Sequence, residues 1–385
     1  MTFGALHRVI ALLAIGFAST ICVLNPPRVR AAGAPPRDEA SQRSGAHSAT
    51  VQDVQRILAA NQGRSDEQVA RQLSLLTLTE RMSDGTLQSL QQRVPGPRSH
   101  WALVALADDS VFLRPAAADV LSQAPPDLQE QRRMISLAVD YLQKTLPRLP
   151  DFYAARTTVH FHGSPKDAPW RKVGTSQVVV TFRDGKEVVD PRSWGTHPSQ
   201  PENDGLITRG VFGPILFTVI RDAAYGETVW DRWEHGSTGA RAVYRYRVPQ
   251  DQSHYSVAFH SRLSDKGEME LGTGYHGEFA IDPATGAILH LTAQADLPTG
   301  SPIMGADIMV EYGPVEIGGK TYTCPLRSVS IALDAAGLMG QMGGLGLVVH
   351  APPDAILLND VAFGSYHLFR SSSRIMVGPP PAPNP

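Results

Sequence analysis

The spacing of apolar side chains divides the chain into two parts near residue 150. From residue 49 to residue 149, apolar side chains recur at intervals of three and four, which is the period of an amphipathic helix. Beyond Pro150 apolar and polar side chains alternate, which is the period of a half-buried β-strand. The pattern predicts an α+β protein in which an all-helical domain, 49–149, precedes a curved antiparallel sheet, 150–378, with one embedded helix.

Helix starts in the first part are marked by capping residues. A capping pair joins a Ser, Thr or Asp to an acidic or amide side chain three residues later. Such pairs occur at Thr50 and Asp53, at Ser65 and Gln68, and at Asp127 and Glu130. Ser83 starts a further helix that ends before "PGP" at 95–97, and a short apolar helix is predicted over 101–107. Leu76 is assigned to the apolar stripe of the second helix.

Turn residues divide the second part into hairpins. Asp184-Gly185 and Gly318-Gly319 each separate two alternating segments, as tight two-residue turns do, and another turn is predicted at 264–267. The nearly uncharged segment Phe212 to Ala224 is the embedded helix. Repeated hairpins around one helix favour a single meandering sheet that wraps or backs that helix, a half-barrel.

The segment "GYHGEFAIDPATGAILHLTAQADLP", 274–298, predicts two strands around a loop at 282–286. In the simplest register Phe279 opposes Leu289, and Glu278 opposes His290. Because side chains alternate between the faces of a strand, the ribbon has one apolar face and one polar face. The apolar face carries Phe279, Ile281, Leu289 and Leu291. The polar face, expected to be exposed to solvent, carries His276, Glu278, His290 and Thr292.

The N-terminus predicts export. Arg8 precedes an uncharged apolar run of 16 residues, 9–24, and small residues follow at 31–34, as in a signal peptide over 1–32. The alternative is an inner-membrane anchor formed by residues 9–24. A small, polar linker at 33–48 and a Pro-rich tail at 379–385 flank the folded part. The net charge of −2 without a basic block gives no indication of a nucleic-acid partner.

Several segments of the second part resemble known families. "IDPATG" at 281–286, "VEYGPVEIGGKTYTCPLRS" at 310–328 and "NDVAFGSYHLF" at 359–369 resemble the later strands of the lipoprotein-carrier (LolA-like) half-barrels, exported bacterial proteins whose curved sheet shelters acyl chains. "GPRSHWALVALADDSVFL", "FGPILFTVIRDAA" and "SHYSV" resemble an uncharacterised family of secreted bacterial proteins. The resemblance implies an exported half-barrel.

Candidate chemistry is sparse. His160 and His162 share a strand face at a spacing that metals use, but no third ligand is near in sequence, and both are expected to be solvated. His276, Glu278 and His290 could together hold Fe(II) or Zn(II), although an exposed Glu beside a His is a common cross-strand pair. No nucleophile motif surrounds Ser237 or Cys324. We therefore predict no catalytic residue, metal or cofactor.

The segment 334–353, "DAAGLMGQMGGLGLVVHAPP", combines glycine, methionine and leucine with few charges. Surface loops are normally polar, so this one is expected to cover an apolar space, with an ordinary packed loop as the alternative. The predicted ligand-binding residues are Phe279, Leu289, Leu291, Leu338, Met339, Met342 and Leu345. The sequence favours a non-catalytic protein that binds a hydrophobic ligand or lipid. The alternatives are an envelope interaction module that docks through its helical domain and, third, a metal-dependent or other hydrolase.

Overall fold

The computed structural model describes the residues 47–163, 170–189, 205–206, 211–236, 239–260, 268–301, 303–334 and 355–369. All of them belong to one compact unit, Ser41–Pro385. The predicted signal peptide, the tail, Ser237 and the four predicted ligand-binding residues between 338 and 345 lie outside the described residues. None of the helices that are described is long and apolar enough to cross a membrane.

Six α-helices occur in the described part of the chain. They are α1 (Val51–Ala60), α2 (Asp66–Ser74), α3 (Asp84–Gln91), α4 (Pro97–Asp109), α5 (Leu128–Thr145) and α6 (Pro214–Ala223). The predicted capping boxes at Thr50 and Ser65 are present, and the Asp127 carboxylate accepts from the backbone N–H of Glu130. Helix α4 is longer than predicted because Pro97 at its first turn fits a helix start.

Fifteen strands are described. They are β1 (His47–Ala49), β2 (Leu76–Leu78), β3 (Phe152–Gly163), β4 (Arg171–Arg183), β5 (Lys186–Val189), β6 (Gly205–Leu206), β7 (Glu227–Gly236), β8 (Gly239–Val248), β9 (Ser256–His260), β10 (Glu268–Gly272), β11 (Gly274–Ile281), β12 (Ile288–Asp296), β13 (Ile303–Ile317), β14 (Lys320–Asp334) and β15 (Ala355–Leu368).

Ten of these strands form one large antiparallel sheet. Their order is β5-β4-β3-β15-β14-β13-β12-β11-β8-β7, so β5 and β7 are its edges and the described sheet is open rather than a closed barrel. A smaller sheet has the order β10-β9-β6. Positive φ angles at Asp184, Gly185, Gly318 and Gly319 confirm the two predicted tight turns. The protein is therefore α+β with a large antiparallel sheet, as predicted.

The first part of the chain is not entirely helical. β1 pairs in parallel with β2, which joins His47 to Leu76 and Ala49 to Leu78. Two predictions are corrected here: residues 47 and 48 belong to a strand rather than the linker, and Leu76 belongs to a strand rather than helix α2. Helix α2 ends at Ser74. Leu76 pairs with His47, and a pairing between residues so far apart in sequence leaves no trace in the helical spacing of apolar residues.

We call the sheet face that packs against α5 and α6 the inner face. One core cluster joins Met134 and Ala138 of α5, Val219 of α6, Val180 of β4 and Tyr244 of β8. β4 and β8 lie near opposite edges of the sheet, so a single core extends across most of its width. Burial of this continuous apolar area is the main stabilising term for the sheet.

The opposite face, which we call the outer face, packs against the first part of the chain. Val104 and Ala105 of α4 contact a cluster that includes Phe161 of β3, Val329 of β14 and Leu358 of β15. Helices α1 to α4 also share a core of their own, centred on buried leucines and valines. Both faces of the sheet are therefore covered.

The register of β11 and β12 differs from the prediction. Phe279 pairs with Leu291, and a β-bulge next to Ile281 makes Leu289 the extra residue. Ile281, Ile288 and Leu291 are in the inner core, but Leu289 is only partly buried and is absent from that cluster. The predicted loop at 282–286 is confirmed, since β11 ends at Ile281 and β12 begins at Ile288. The bulge is invisible to a count of alternating residues because it adds one residue to one strand only.

Candidate functional site

A row of hydroxyl, amide and imidazole side chains crosses the inner face on four neighbouring strands, β4, β3, β15 and β14. We call it the polar row; its members are Thr158, His160, Ser176, Ser328, Ser330 and Asn359. Val361, an inner-core residue, pairs with Thr158 on one side and with Ser328 on the other. Asn359 likewise pairs with His160 and Ser330. Because directly paired residues share a face, the polar row belongs to the inner face.

Three members of the polar row form a hydrogen-bonded chain. His160 Nε2 lies 3.0 Å from Ser176 Oγ, and His160 Nδ1 lies 2.8 Å from Asn359 Oδ1. The imidazole is buried, with 5% of the residue exposed, and Ser176 is partly exposed. An amide oxygen only accepts hydrogen bonds, so Nδ1 carries the proton. In a neutral imidazole with its proton on Nδ1, Nε2 accepts from the Ser176 hydroxyl, which then donates to a base.

Two further members have unused hydrogen-bonding capacity. Ser328 and Ser330 are 1% and 2% exposed, and neither hydroxyl oxygen has a partner among the residues that the structure describes. A buried hydroxyl without a partner costs about 1–3 kcal/mol. The two serines are thus a local cost to stability, which would be removed by a polar group brought to this face.

Most neighbours of the polar row are apolar, although Arg156, the next inner-face residue on β3 beside Thr158, is charged. Ile308 and Val310 of β13 pair with Ser330 and Ser328 and are buried in the inner core. Ala332 and Leu357, one pair further along β14 and β15, are also buried. β6 of the small sheet contacts β14 nearby. The polar row therefore provides a few directed polar groups within an apolar wall, the combination that small-molecule sites use.

The predicted histidine cluster on β11 and β12 has a different environment from the expected one. Glu278 and His290 do share a face, but His290 is 2% exposed rather than solvated. His290 Nδ1 is 2.7 Å from Glu311 Oε1, and its Nε2 is 3.8 Å from Glu278 Oε1. His276 instead contacts Asp296 at 2.9 Å. The expectation of a solvent-exposed face is wrong because the first part of the chain covers it.

This covered face contains a compact ion network. Arg81 reaches from the segment before α3 and contacts Glu234 and Glu278 at 2.7 Å each. Arg232 also binds Glu278, at 2.9 Å, and Arg241 binds Glu234, at 2.7 Å. Arginine is suited to such sites because its planar group binds carboxylates through two donors. The network joins the helical part of the chain to the outer face of the sheet.

Burial and charge pairing act in opposite directions within this network. Burial alone would raise the pKa of Glu234, but Arg81, Arg241 and Arg232 outweigh it and lower the pKa to about 2. Burial would likewise lower the pKa of Arg81, yet Glu278 and Glu234 raise it. Both groups are therefore charged at neutral pH. Of the side chains predicted as possible metal ligands, Glu278 is held by Arg81 and Arg232.

A second ion cluster lies on the same face. Arg327 of β14 contacts Asp84 at 2.8 Å and Asp360 at 2.9 Å, and it also contacts Asp108 of α4. Burial, reinforced by the Asp360 carboxylate, raises the pKa of Asp108 well above its ordinary value despite Arg327. A proton on Asp108 relieves the excess negative charge around a single arginine. Arg327 therefore connects α3 and α4 to two strands of the sheet.

The predicted ligand-binding residues that the structure describes have different positions. Phe279 and Leu291 are 2% and 1% exposed and belong to the inner core, where Phe279 stacks on Tyr244 with ring centroids 5.6 Å apart. Leu289 is the bulge residue. Whether any of them touches a ligand stays a prediction, as does the role of segment 334–353.

Three other candidate residues are also described by the structure. His160 is buried in the polar row, so the expectation that it is solvated is wrong, and His162 is only partly buried. Cys324 is buried on β14, and burial raises the pKa of its thiol to about 12. Such a thiol stays protonated at neutral pH and is a poor nucleophile. Among described residues, no group of three His, Cys, Asp or Glu side chains is placed to hold a metal.

Sequence reasoning missed Ser176, Asn359 and the two unpartnered serines. They belong to the polar positions of alternating strands, which look solvated when each strand is considered alone. His160 and Asn359 are 199 positions apart, so only the sheet order brings them together. One weak signal existed: "SVS" at 328–330 places two small hydroxyl residues on one face of β14, directly before the apolar residues 331–333.

Comparison with known proteins gives little beyond the fold. No protein-family model and no curated protein matches the chain. A LolA superfamily protein from Nitrosomonas europaea is 10% identical, with a TM-score of 0.28, and the match covers 61% of this chain and 94% of that one. A DUF1329 family protein from Desulfovibrio piger is 7% identical, with a TM-score of 0.23 and coverage of 63% and 94%. Both similarities are weak.

Proposed function

We propose that the protein binds an amphipathic ligand, a lipid or another molecule with a long apolar chain, on the inner face of its large sheet. The ligand's polar group would contact the polar row, and its apolar chain would lie along the neighbouring core residues. The observation that carries the proposal is the pair of buried hydroxyls on Ser328 and Ser330, which have no partner among the described residues. A sheet face that serves only as a hydrophobic core would gain nothing from unpaired hydroxyls, because apolar side chains fill a core without that cost.

The same proposal includes the finer architecture expected from the sequence. The open sheet is a half-barrel whose concave side is the inner face, and the protein is exported. Residues 49–149 are a helical domain whose helix α4 braces the outer face and whose last helix, α5, packs on the inner face. Segment 334–353, with Leu338, Met339, Met342 and Leu345, would complete the cover over the ligand. Phe279 and Leu291 would form the packed floor beneath it.

Binding of a fluorescent fatty acid to the full mature protein tests the proposal. A double variant, Ser328→Ala with Ser330→Ala, should weaken binding about tenfold if each hydroxyl contributes the usual 0.5–1.5 kcal/mol of a hydrogen bond. The matched control is Ser110→Ala, another buried serine, whose hydroxyl donates to the Ala107 carbonyl far from the inner face. That control should leave probe affinity unchanged.

The outcome that contradicts the proposal is equally defined. If the wild-type protein binds neither the fatty acid nor a fluorescent phospholipid, the inner face is a core and the envelope-module hypothesis gains first place. If the double variant and the control bind equally well, the polar row does not contact the ligand. Circular dichroism of all three proteins establishes that each is folded before affinities are compared.

A further inference from the structure

Ser176, His160 and Asn359 have the connectivity of a hydroxyl nucleophile, its general base and the group that orients that base. The three residues lie on neighbouring strands, β4, β3 and β15, so the sheet fixes their relative positions. Both hydrogen bonds, at 3.0 Å and 2.8 Å, lie within the range expected for nucleophile, base and orienting group. Sites built on strands hold such geometry more tightly than sites built on loops.

The pairing of β3 with β15 and with β4 explains how Ser176, His160 and Asn359 come into hydrogen-bonding distance. Asn359 lies directly opposite His160 on β15, which places the amide oxygen beside Nδ1. Ser176 lies opposite Thr158, so it meets Nε2 from the neighbouring pair on β4. A bulge next to His160 makes Val173 the extra residue of β4, and Gly174 is the residue that pairs with His160. With no side chain at Gly174, the space beside the imidazole on this strand is left to Ser176.

We propose that Ser176 is a nucleophile for acyl transfer, with His160 as its general base and Asn359 as a positioning residue, and that the substrate is an ester of a long-chain acid. The substrate class rests on the proposed function, since the apolar wall around the polar row suits an acyl chain. The catalytic step does not depend on it.

The chemistry balances with water as the second reactant. Ser176 Oγ bonds to the ester carbonyl carbon while its proton passes to His160 Nε2. The bond to the leaving alcohol then breaks, and the alcohol takes that proton, which leaves the acyl group on Ser176. Water attacks the acyl carbon and gives a proton to Nε2. The Ser176 oxygen departs, recovers the proton, and a carboxylic acid is released.

Asn359 acts only through His160. Its Oδ1 accepts from Nδ1–H and thereby keeps Nε2 free of a proton, the tautomer that the base needs. Aspartate at this position would accept the same hydrogen bond, whereas leucine could not. Asn359→Asp should therefore retain reactivity that Asn359→Leu loses, a difference that a purely packing role for Asn359 would not produce.

The test uses a fluorophosphonate, which reacts covalently with activated serines, on the full-length protein. One equivalent should attach to the peptide containing Ser176, as located by mass spectrometry. Ser176→Ala should abolish labelling, and His160→Gln should slow it about 100-fold or more, the low end of what a general base contributes. Ser110→Ala, a buried serine outside the polar row whose hydroxyl donates to the Ala107 carbonyl, should label at the wild-type rate.

Hydrolysis of p-nitrophenyl esters of increasing chain length gives the substrate class, and octanoate should exceed acetate in kcat/KM. A wild-type protein that takes no label, takes it elsewhere or labels equally as Ser176→Ala overturns the inference, whether or not His160→Gln folds. Fatty-acid binding separates the two proposals. If the protein binds the fatty acid but takes no fluorophosphonate label, the proposed function stands and the catalytic inference is wrong. If Ser176 is labelled and the acetate ester is hydrolysed but no fatty acid binds, the catalytic inference stands and the proposed function is wrong.

Discussion

The two faces of the large sheet bury polar groups in different ways. On the outer face, charged side chains form arginine-centred clusters, and most of their charges meet an opposite charge at short distance. On the inner face, the polar row consists of hydroxyl, amide and imidazole groups, and two of its hydroxyls have no partner among the described residues. The outer face also has buried atoms without a hydrogen-bond partner among the described residues, such as Asp108 Oδ2 and His290 Nε2, but these two belong to charge-paired clusters. The unpartnered groups of the inner face are hydroxyls, which a ligand can use.

This difference separates polar residues that stabilise the fold from those available for function. A buried ion network tolerates few changes, because removing one member leaves the others charged and unpaired. A row of hydroxyl groups tolerates the loss of a member, because alanine has no polar group to satisfy. Substitutions on the two faces should therefore have opposite effects on stability.

The largest expected effect is at Arg327, whose removal leaves three carboxylates without their cation. Arg327→Met should lower the free energy of unfolding by about 3–5 kcal/mol, as measured by urea denaturation. Arg114→Met is the matched control, since Arg114 is 67% exposed and pairs with Asp231 at 3.2 Å. It should cost less than about 1 kcal/mol. Equal losses would mean that the outer-face clusters are not buried as described.

The next largest effect is a difference in stability between alanine variants of two leucines, Leu289 and Leu291, which the sequence analysis placed on one face. Leu291→Ala should cost about 2–5 kcal/mol because it opens a cavity in the inner core. Leu289→Ala should cost less than about 1 kcal/mol because the bulge holds Leu289 away from that core. Unfolding curves of the two variants decide between the registers, and a larger loss at Leu289 would restore the unbulged pairing.

Lowering the pH should reduce the free energy of unfolding, because it protonates Glu234 of the outer-face ion network. Its pKa is about 2 in the folded protein, below the 4.5 of an unperturbed glutamate. Its contribution is therefore fully present above that unperturbed value and is lost as pH falls through 4.5 toward 2. Asp108, whose pKa is raised, contributes with the opposite sign. Glu234→Gln should lose less stability than wild type between pH 5 and pH 3, and equal slopes would contradict this assignment.

The smallest effect is the most specific to the inner face. Replacing Ser328 and Ser330 with alanine removes two unsatisfied hydroxyls, so the ligand-free protein should be as stable as wild type or slightly more stable. The same double variant should bind the fatty-acid probe more weakly. A loss above about 1 kcal/mol in the thermal unfolding of the ligand-free protein would instead indicate that these hydroxyls have structural partners.

Local features of the fold could be predicted from sequence, but long-range ones could not. The capping residues Thr50 and Ser65 and the turns at 184–185 and 318–319 depend on interactions within a few residues. The bulge at Leu289 depends on the partner strand. The burial of His290 and Glu278 depends on Arg81, which is 197 positions from Glu278.

The candidate site shows the same limit more strongly. The sequence analysis did not single out Ser328, Ser330 or Asn359, because each looks like an ordinary solvated position when its strand is considered alone. Sheet order then joined β4, β3, β15 and β14, four strands whose adjacency no local pattern encodes. A sequence pattern can therefore identify a polar position, but it does not show whether that side chain contacts water or is buried against another part of the protein.

Native mass spectrometry tests the central claim most directly. The mature protein would be purified from its own host in a gentle detergent-free buffer, then measured again after incubation with a mixture of fatty acids and phospholipids. We expect one amphipathic molecule per chain, released on denaturation and bound less by the Ser328→Ala, Ser330→Ala double variant. The mass of the bare polypeptide in both measurements would contradict the account and make the inner face a core alone.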